Sequence, residues 1–311
     1  MIVRRKIIGA AGAAAFAPSM VLAPLSAFAQ QPPTKVWRVG FLTPTTMPNA
    51  TTRLAALRSG LRELGYVEGK NLVIDVRASD AIRERLPAVA AELIELKPDV
   101  LVTSSSDATA FLKRATSSIP IVMAASAAPV EAGLIASLAR PGGNITGMTL
   151  MSTDIAGKWL QIVRELRPGA SRIGVMLMNN VVGGSVHEAL RSIAQQNKVQ
   201  LIVPVPLIKE AADVPGALDQ MRRERAQALI VQINPVNLDR GREIIDTAAK
   251  LRLPAVYGGS EFVDLGGLVS YGANIIDIFR QSATYIDKIF KGAKPADLPV
   301  EQPTTLSLSS T

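Results

Sequence analysis

Short apolar runs alternate with amphipathic stretches of helical period from Val36 to Phe290, and that alternation predicts an architecture. In the first half Val36–Leu42, Asn71–Val76, Asp99–Thr103 and Ile119–Met123 read as buried strands. The helices between them place Leu54, Leu57, Leu61 and Leu64 on one face, ending at Gly65, and Leu86, Val89 and Leu93 on another, within Ile82–Leu96. Ser104–Asp107 opens a third. In the second half the strands are Arg172–Met178, Leu201–Val205, Ala228–Ile233, Pro254–Tyr257 and Leu268–Tyr271. Their helices are Ile155–Leu166, Val186–Gln196, Val214–Arg223, Arg240–Leu251 and Asn274–Phe290. Strands alternating with helices predict an α/β fold whose parallel sheets are covered on both faces. The tail from Lys291 carries Pro295, Pro299 and Pro303 and is expected to run extended over the surface.

Landmarks recur at one spacing of 134 residues: Arg38 with Arg172, Pro120 with Pro254, and Gly133-Leu134 with Gly267-Leu268. A repeat this long implies duplicated lobes rather than a solenoid. Gly133–Gly147 then reads as the end of a helix, a Pro141-Gly142-Gly143 turn and a short run leading out of the first lobe.

A length of 311 residues suits two domains, and 48% apolar against 19% charged residues supports packed cores. The start has a different composition. Arg4, Arg5 and Lys6 precede an alanine-rich apolar stretch and an A-x-A site at Ala27-Phe28-Ala29, so residues 1–29 are expected to be a signal peptide cleaved after Ala29. Arg4-Arg5 suits a twin-arginine signal as well as a Sec signal, and both remain open. Losing three basic and no acidic residues lowers the net charge from +8 to +5. With aromatics at 4% and charges spread along helical faces, no nucleic-acid partner is expected. There is no Cys, which excludes disulfides, thiolate chemistry and a lipid-modified cysteine anchor. The mature product is expected to be a soluble exported protein.

Enzyme templates find little to hold. One His, His187, and no Cys leave a transition metal without its usual ligands, so neither a metal nor a cofactor is expected. No G-x-S-x-G elbow, P-loop or G-x-G-x-x-G follows a strand, and no catalytic residue is proposed. Strand-to-helix loops rich in small polar residues remain. Parallel α/β sheets bind ligands beyond the carboxyl ends of their strands, where helix N-termini offer free N–H groups to anions. Candidate ligand-binding residues are Thr43, Thr45, Ser104, Ser105, Ser106, Ala125 and Ser126 in the first half. Asn179, Asn180, Asn234, Ser260 and Glu261 face them from the second. Ser and Asn also cap helices for structural reasons, and that alternative stands beside the functional one at each position. Glu261 suits a ligand ammonium or a solvated surface, and Tyr257, Phe262 and Tyr271 suit a pocket wall or the core.

Several stretches resemble one family: G-L-R-E-L-G-Y-V-E-G-K-N-L (60–72), I-P-I-V (119–122), S-L-A-R-P-G-G-N-I-T-G (137–147), G-G-L-V-S-Y-G (266–272) and Y-I-D-K-I-F-K-G-A-K-P-A-D-L-P-V-E-Q-P (285–303). The chain is similar to the substrate-binding proteins of ABC transporters that include tryptophan-binding TrpX-like members. The resemblance implies a periplasmic binding protein of type 1, with two Rossmann-like lobes joined by three crossings. It implies a small organic solute, amino-acid-like or bearing a carboxylate or amide, held by hinge closure, an ABC permease in the inner membrane as partner, and a monomer in the periplasm. The expected lobes are 36–147 with 274–292, and 148–273 with 293–311. A ligand sensor feeding a receptor or kinase is the alternative, and a twin-Rossmann enzyme a further one. Where the family commonly carries Asp-Pro-Val this chain has Ala128-Pro129-Val130, which weighs against an amino-group contact there. Ala78 stands where relatives often have an aromatic, and the tail after Thr304 is shorter than the family's ending.

Overall fold

The computed structural model describes residues 35–311, so the expected signal peptide and its cleavage site lie outside the described residues. The first lobe runs β1 (Trp37–Thr43), α1 (Met47–Glu63), β2 (Leu72–Ala78), α2 (Leu86–Glu95), β3 (Val100–Thr103), α3 (Ser106–Ala115), β4 (Ile121–Ser126) and β5 (Ile145–Thr149). Its five strands are parallel in the order β2-β1-β3-β4-β5. Every residue of β3 and β4 is buried, as strands covered by helices on both faces should be.

The second lobe continues with α4 (Ala156–Leu166), β6 (Arg172–Met176), α5 (Val181–Gln196), β7 (Gln200–Ile202), α6 (Val214–Arg223) and β8 (Ala228–Val231). It goes on through α7 (Pro235–Asp239), α8 (Gly241–Lys250), β9 (Ala255–Tyr257), α9 (Glu261–Asp264) and β10 (Val269–Ala273). After α10 (Ile275–Phe290), β11 (Leu306–Ser310) pairs antiparallel with β10 and completes the order β11-β10-β9-β8-β6-β7. The strand orders 2-1-3-4-5 and 7-6-8-9-10 match position for position. Arg38 and Arg172 lie at the start of equivalent strands, second in β1 and first in β6, and Pro120 and Pro254 precede equivalent strands.

The third landmark does not match. Gly133 lies within turns well before β5, whereas Gly267 sits just before β10. The helix expected before Pro141 is absent, because 127–144 is a chain of turns, and the run leading outward is itself the strand β5. Gly147 in that strand has φ +130°, and a Cβ there would fall 2.2 Å from the Met123 carbonyl oxygen, so glycine permits the close pairing of β5 with β4.

The chain passes back from β10 into α10, which packs on the first lobe. Trp37 stacks on Phe290 with centroids 4.2 Å apart, and Tyr66 Oη donates to Asp287 Oδ1 at 2.9 Å. The tail runs largely over the surface, yet part of it bonds to the first sheet. Thr146 Oγ1 donates to the Leu298 carbonyl, and the Glu301 N–H to that of Gly147, so 298–301 runs beside β5 of the first sheet. The sequence had grouped this stretch with the second lobe. The shorter ending still supplies a last strand, β11. Among the described residues no helix is long and apolar enough to cross a membrane.

Candidate functional site

Each sheet reverses its strand order at one point: beside β1 and β3 in the first, beside β6 and β8 in the second. Loops leaving the carboxyl ends there diverge and leave a crevice. The two crevices meet in one cavity of about 560 Å³, part of it continuous with solvent, lined by residues of both lobes.

From the first lobe come Ser104, Ser105 and Ser106. Ser105 is extended (φ −161°, ψ 159°) and its Oγ accepts from the Ala108 N–H at 3.1 Å, capping α3. Ser106 Oγ donates to the Ala127 carbonyl at 2.6 Å and sits 2.8 Å from Ser126 Oγ. From the second lobe Asn180 and Asn234 line the cavity, each capping its own helix by accepting from the N–H three residues on. Capping and lining therefore coexist in the same side chains. Ala125 lines the cavity from the end of β4.

The other expected residues stand apart from the lining. Thr43 and Thr45 are fully buried and 2.9 Å apart through their hydroxyls, with Ser104 Oγ 3.5 Å from Thr43; they brace the serine loop from behind. Ser126 does the same for Ser106. Asn179 is exposed, and its N–H bonds to the Ile208 carbonyl at 2.7 Å. The loop after β6 is short, because α5 begins at Val181 and takes Gly183 and Gly184 into its first turn. Ser260 precedes α9 without a capping bond. Glu261 is committed elsewhere: its Oε1 accepts from Arg53 Nη2 at 2.8 Å. Tyr257 and Phe262 stack with centroids 5.0 Å apart and are at most 1% exposed, so they belong to the core. Burial pushes the Tyr257 phenol well above its ordinary pKa and keeps it neutral.

Three lining polar residues were missed. Arg53 is 6% exposed; it lies four residues before Leu57, on the helical face already marked as buried, and that spacing was the available signal. Gln232 follows the apolar run of β8 at its carboxyl end and is 2% exposed. Asp107, in the first turn of α3, accepts from Arg83 Nη1 at 2.8 Å and from Asn180 Nδ2 at 3.2 Å. Arg53 Nε, Gln232 Oε1 and Glu261 Oε2 are buried with no hydrogen-bond partner among the described residues. Such groups cost roughly 1–3 kcal/mol each until something satisfies them. The cavity thus holds an unused donor and an unused acceptor beside a helix N-terminus with its partial positive charge.

The lobes touch around this cavity through polar pairs. Asp239 of α7 accepts from the Thr46 hydroxyl at 2.7 Å and from Asn49, both at the start of α1. Arg53 reaches Glu261, and Asn180 reaches Asp107.

The family model for ABC transporter substrate-binding proteins matches residues 39–308, which is nearly all of the described chain. The protein belongs to that family. Among its relatives is a tyrosine-binding protein of Clostridioides difficile (strain R20291), 25% identical over 242 residues, covering 77% of this chain and 68% of the relative. A conserved domain protein from Vibrio cholerae superposes with a TM-score of 0.83 at 26% identity, covering 89% of this chain and 92% of the other. An ABC domain from Streptococcus pneumonia, solved in complex with L-Trp, gives 0.77 at 22% identity, covering 87% and 91%, and shares the fold. The two-lobed type 1 periplasmic binding protein architecture expected of this substrate-binding protein is the one found.

Proposed function

We propose that this substrate-binding protein is the exported solute receptor of an ABC importer. It captures a small organic solute bearing a carboxylate or amide, amino acids among them, and presents it to an inner-membrane permease. The observation that carries the reading is a cavity shared by both lobes, with Arg53 and Ser104–Ser106 on one side and Gln232 and Asn234 on the other. The α3 N-terminus and the guanidinium suit an anionic or carbonyl end of the ligand. Gln232 Oε1 suits an N–H or O–H donor.

Mechanism follows from the two-sided lining. A solute contacting both lobes stabilises the closed arrangement over the open one, because only closure makes both sets of contacts. We take the moving bodies as 36–147 with 274–292, and 148–273, acting as a monomer in the periplasm. The crossings absorb the rotation. Closed lobes form one composite surface for the permease, so delivery tracks the closed population.

A thermal-shift screen against amino acids, small carboxylates and amides tests the reading. A specific ligand at one hundred times its Kd stabilises the folded state by about 2.7 kcal/mol and raises Tm by several degrees. A selective rise that Arg53→Met and Ser105→Ala both diminish supports it; a flat response across all three classes overturns it.

A further inference from the structure

The cavity's apolar walls say more about the solute than its polar end does. Ala125, Leu150, Val182, Ile233, Pro235 and Ile275 supply them, and no aromatic ring lines the cavity among the described residues. Leu150 and Ile275 come from the two segments that cross between lobes after β5 and β10, so branched aliphatic side chains form the floor of the cleft. Rings close to the site are committed elsewhere. Trp159 is fully buried and its Nε1 donates to the Tyr271 carbonyl at 2.7 Å. Tyr257 stacks on Phe262, and Phe279 packs edge-on to Phe41 with centroids 6.1 Å apart. None of these can turn toward a ligand without opening a core.

Size points the same way. Measured to the centres of water-sized spheres, the cavity's inner volume is about 60 Å³. One water needs roughly 10–15 Å³ on that measure, so the space between the lobes suits a compact branched body better than a bicyclic ring. The polar end is built for an acid or amide, since Arg53 Nε is buried without a partner beside the α3 N-terminus.

Resting on the solute-receptor reading, we propose that the site selects a compact aliphatic carboxylate of valine-to-leucine size and discriminates against indole and phenol rings. A methylene gained or lost against a hydrophobic wall changes affinity roughly 10- to 200-fold, so walls of this kind set a usable filter. The α-amino acid and the corresponding α-keto acid share the aliphatic carboxylate, and separate arms of one experiment distinguish them.

Isothermal titration of the purified protein with L-valine, L-leucine, α-ketoisocaproate, L-tryptophan and L-tyrosine is the test. The expected result is that at least one aliphatic acid binds tenfold or more tightly than either aromatic amino acid. Tryptophan or tyrosine binding as tightly as every aliphatic acid overturns the aliphatic preference and leaves the receptor reading standing. No binding by any of the five overturns the preference, while the wider thermal screen decides the receptor reading separately. Leu150→Ala, at a half-buried position, should narrow the gap between leucine and tryptophan at least threefold by deepening the floor. Val182→Ala serves the same purpose if the first variant is unstable. An unchanged gap in a folded variant overturns the wall argument.

Discussion

Arg53 and Glu261 meet across the cleft at 2.8 Å, with side-chain exposures of 7% and 19%, although 208 residues separate them. Each comes from a different lobe, so the pair exists only while the lobes are together. Removing one partner leaves the other charge buried without compensation, a loss of roughly 3–5 kcal/mol for buried pairs. Opening the cleft relieves that cost by returning the charge to water. Glu261→Gln should therefore weaken solute affinity at least tenfold, about 1.4 kcal/mol, while lowering the ligand-free Tm little. Calorimetry of the apo protein beside titration of the bound form separates these effects. A large apo Tm loss with unchanged affinity would mean the pair acts within the fold rather than on closure.

Asp239 makes a second bridge, accepting from the Thr46 hydroxyl and from Asn49 at the first turn of α1. Hydrogen bonds to a charged acceptor contribute about 1.5–3 kcal/mol. Asp239→Ala is expected to shift the population toward the open form and to speed ligand release more than it slows association. Small-angle scattering should show a larger radius of gyration for the variant in saturating ligand, and stopped-flow should place the change in the dissociation rate.

How much of this was legible beforehand varies with the range of the interaction. The parallel strands were readable because each is a run of apolar residues between capping loops, and β3, β4 and β8 are buried along their whole length. The serine loop was readable because strand ends and helix starts leave a local signature, and Ser105 is the N-cap of α3. Glu261 pairs with Arg53, 208 residues earlier, a separation that no local pattern reveals. Arg53 carries a charge on the buried face of α1, and only its spacing of four from Leu57 marks it. Ile145–Thr149 is a fully buried strand whose glycine and two threonines break the apolar run that marks the others.

Gly183 tests the shape of the second-lobe loop. A Cβ at this position would fall 1.9 Å from the Met178 carbonyl oxygen, so Gly183→Ala must displace the start of α5. Backbone shifts forced by overpacking cost about 1–3 kcal/mol. Because the Gly183 N–H is the one that Asn180 Oδ1 caps, the displacement reaches a lining residue directly. The variant is expected to lose both stability and affinity, whereas Gly184→Ala, with open space at its Cβ, should lose neither. Denaturant melts and titrations of the two variants side by side check the contrast.

Tyr66 anchors α10 to the first lobe from outside the cleft. Its hydroxyl donates to Asp287 Oδ1 at 2.9 Å, and desolvation together with that carboxylate pushes its pKa up to about 12. An unfolded tyrosine ionises near 10. The folded state therefore favours the neutral phenol, and the associated stability is fully present below about pH 10 and is lost as pH rises toward 12. Wild type should lose Tm steeply across that alkaline window. Tyr66→Phe should start lower at neutral pH, having lost the hydrogen bond, and should show a shallower decline, because one phenol no longer links ionisation to unfolding. Parallel melts of both proteins, with ultraviolet titration of the phenolates in the folded state, measure it. Equal slopes for the two proteins would place the alkaline loss in the deeper phenols of Tyr257 and Tyr285, both of which burial also raises.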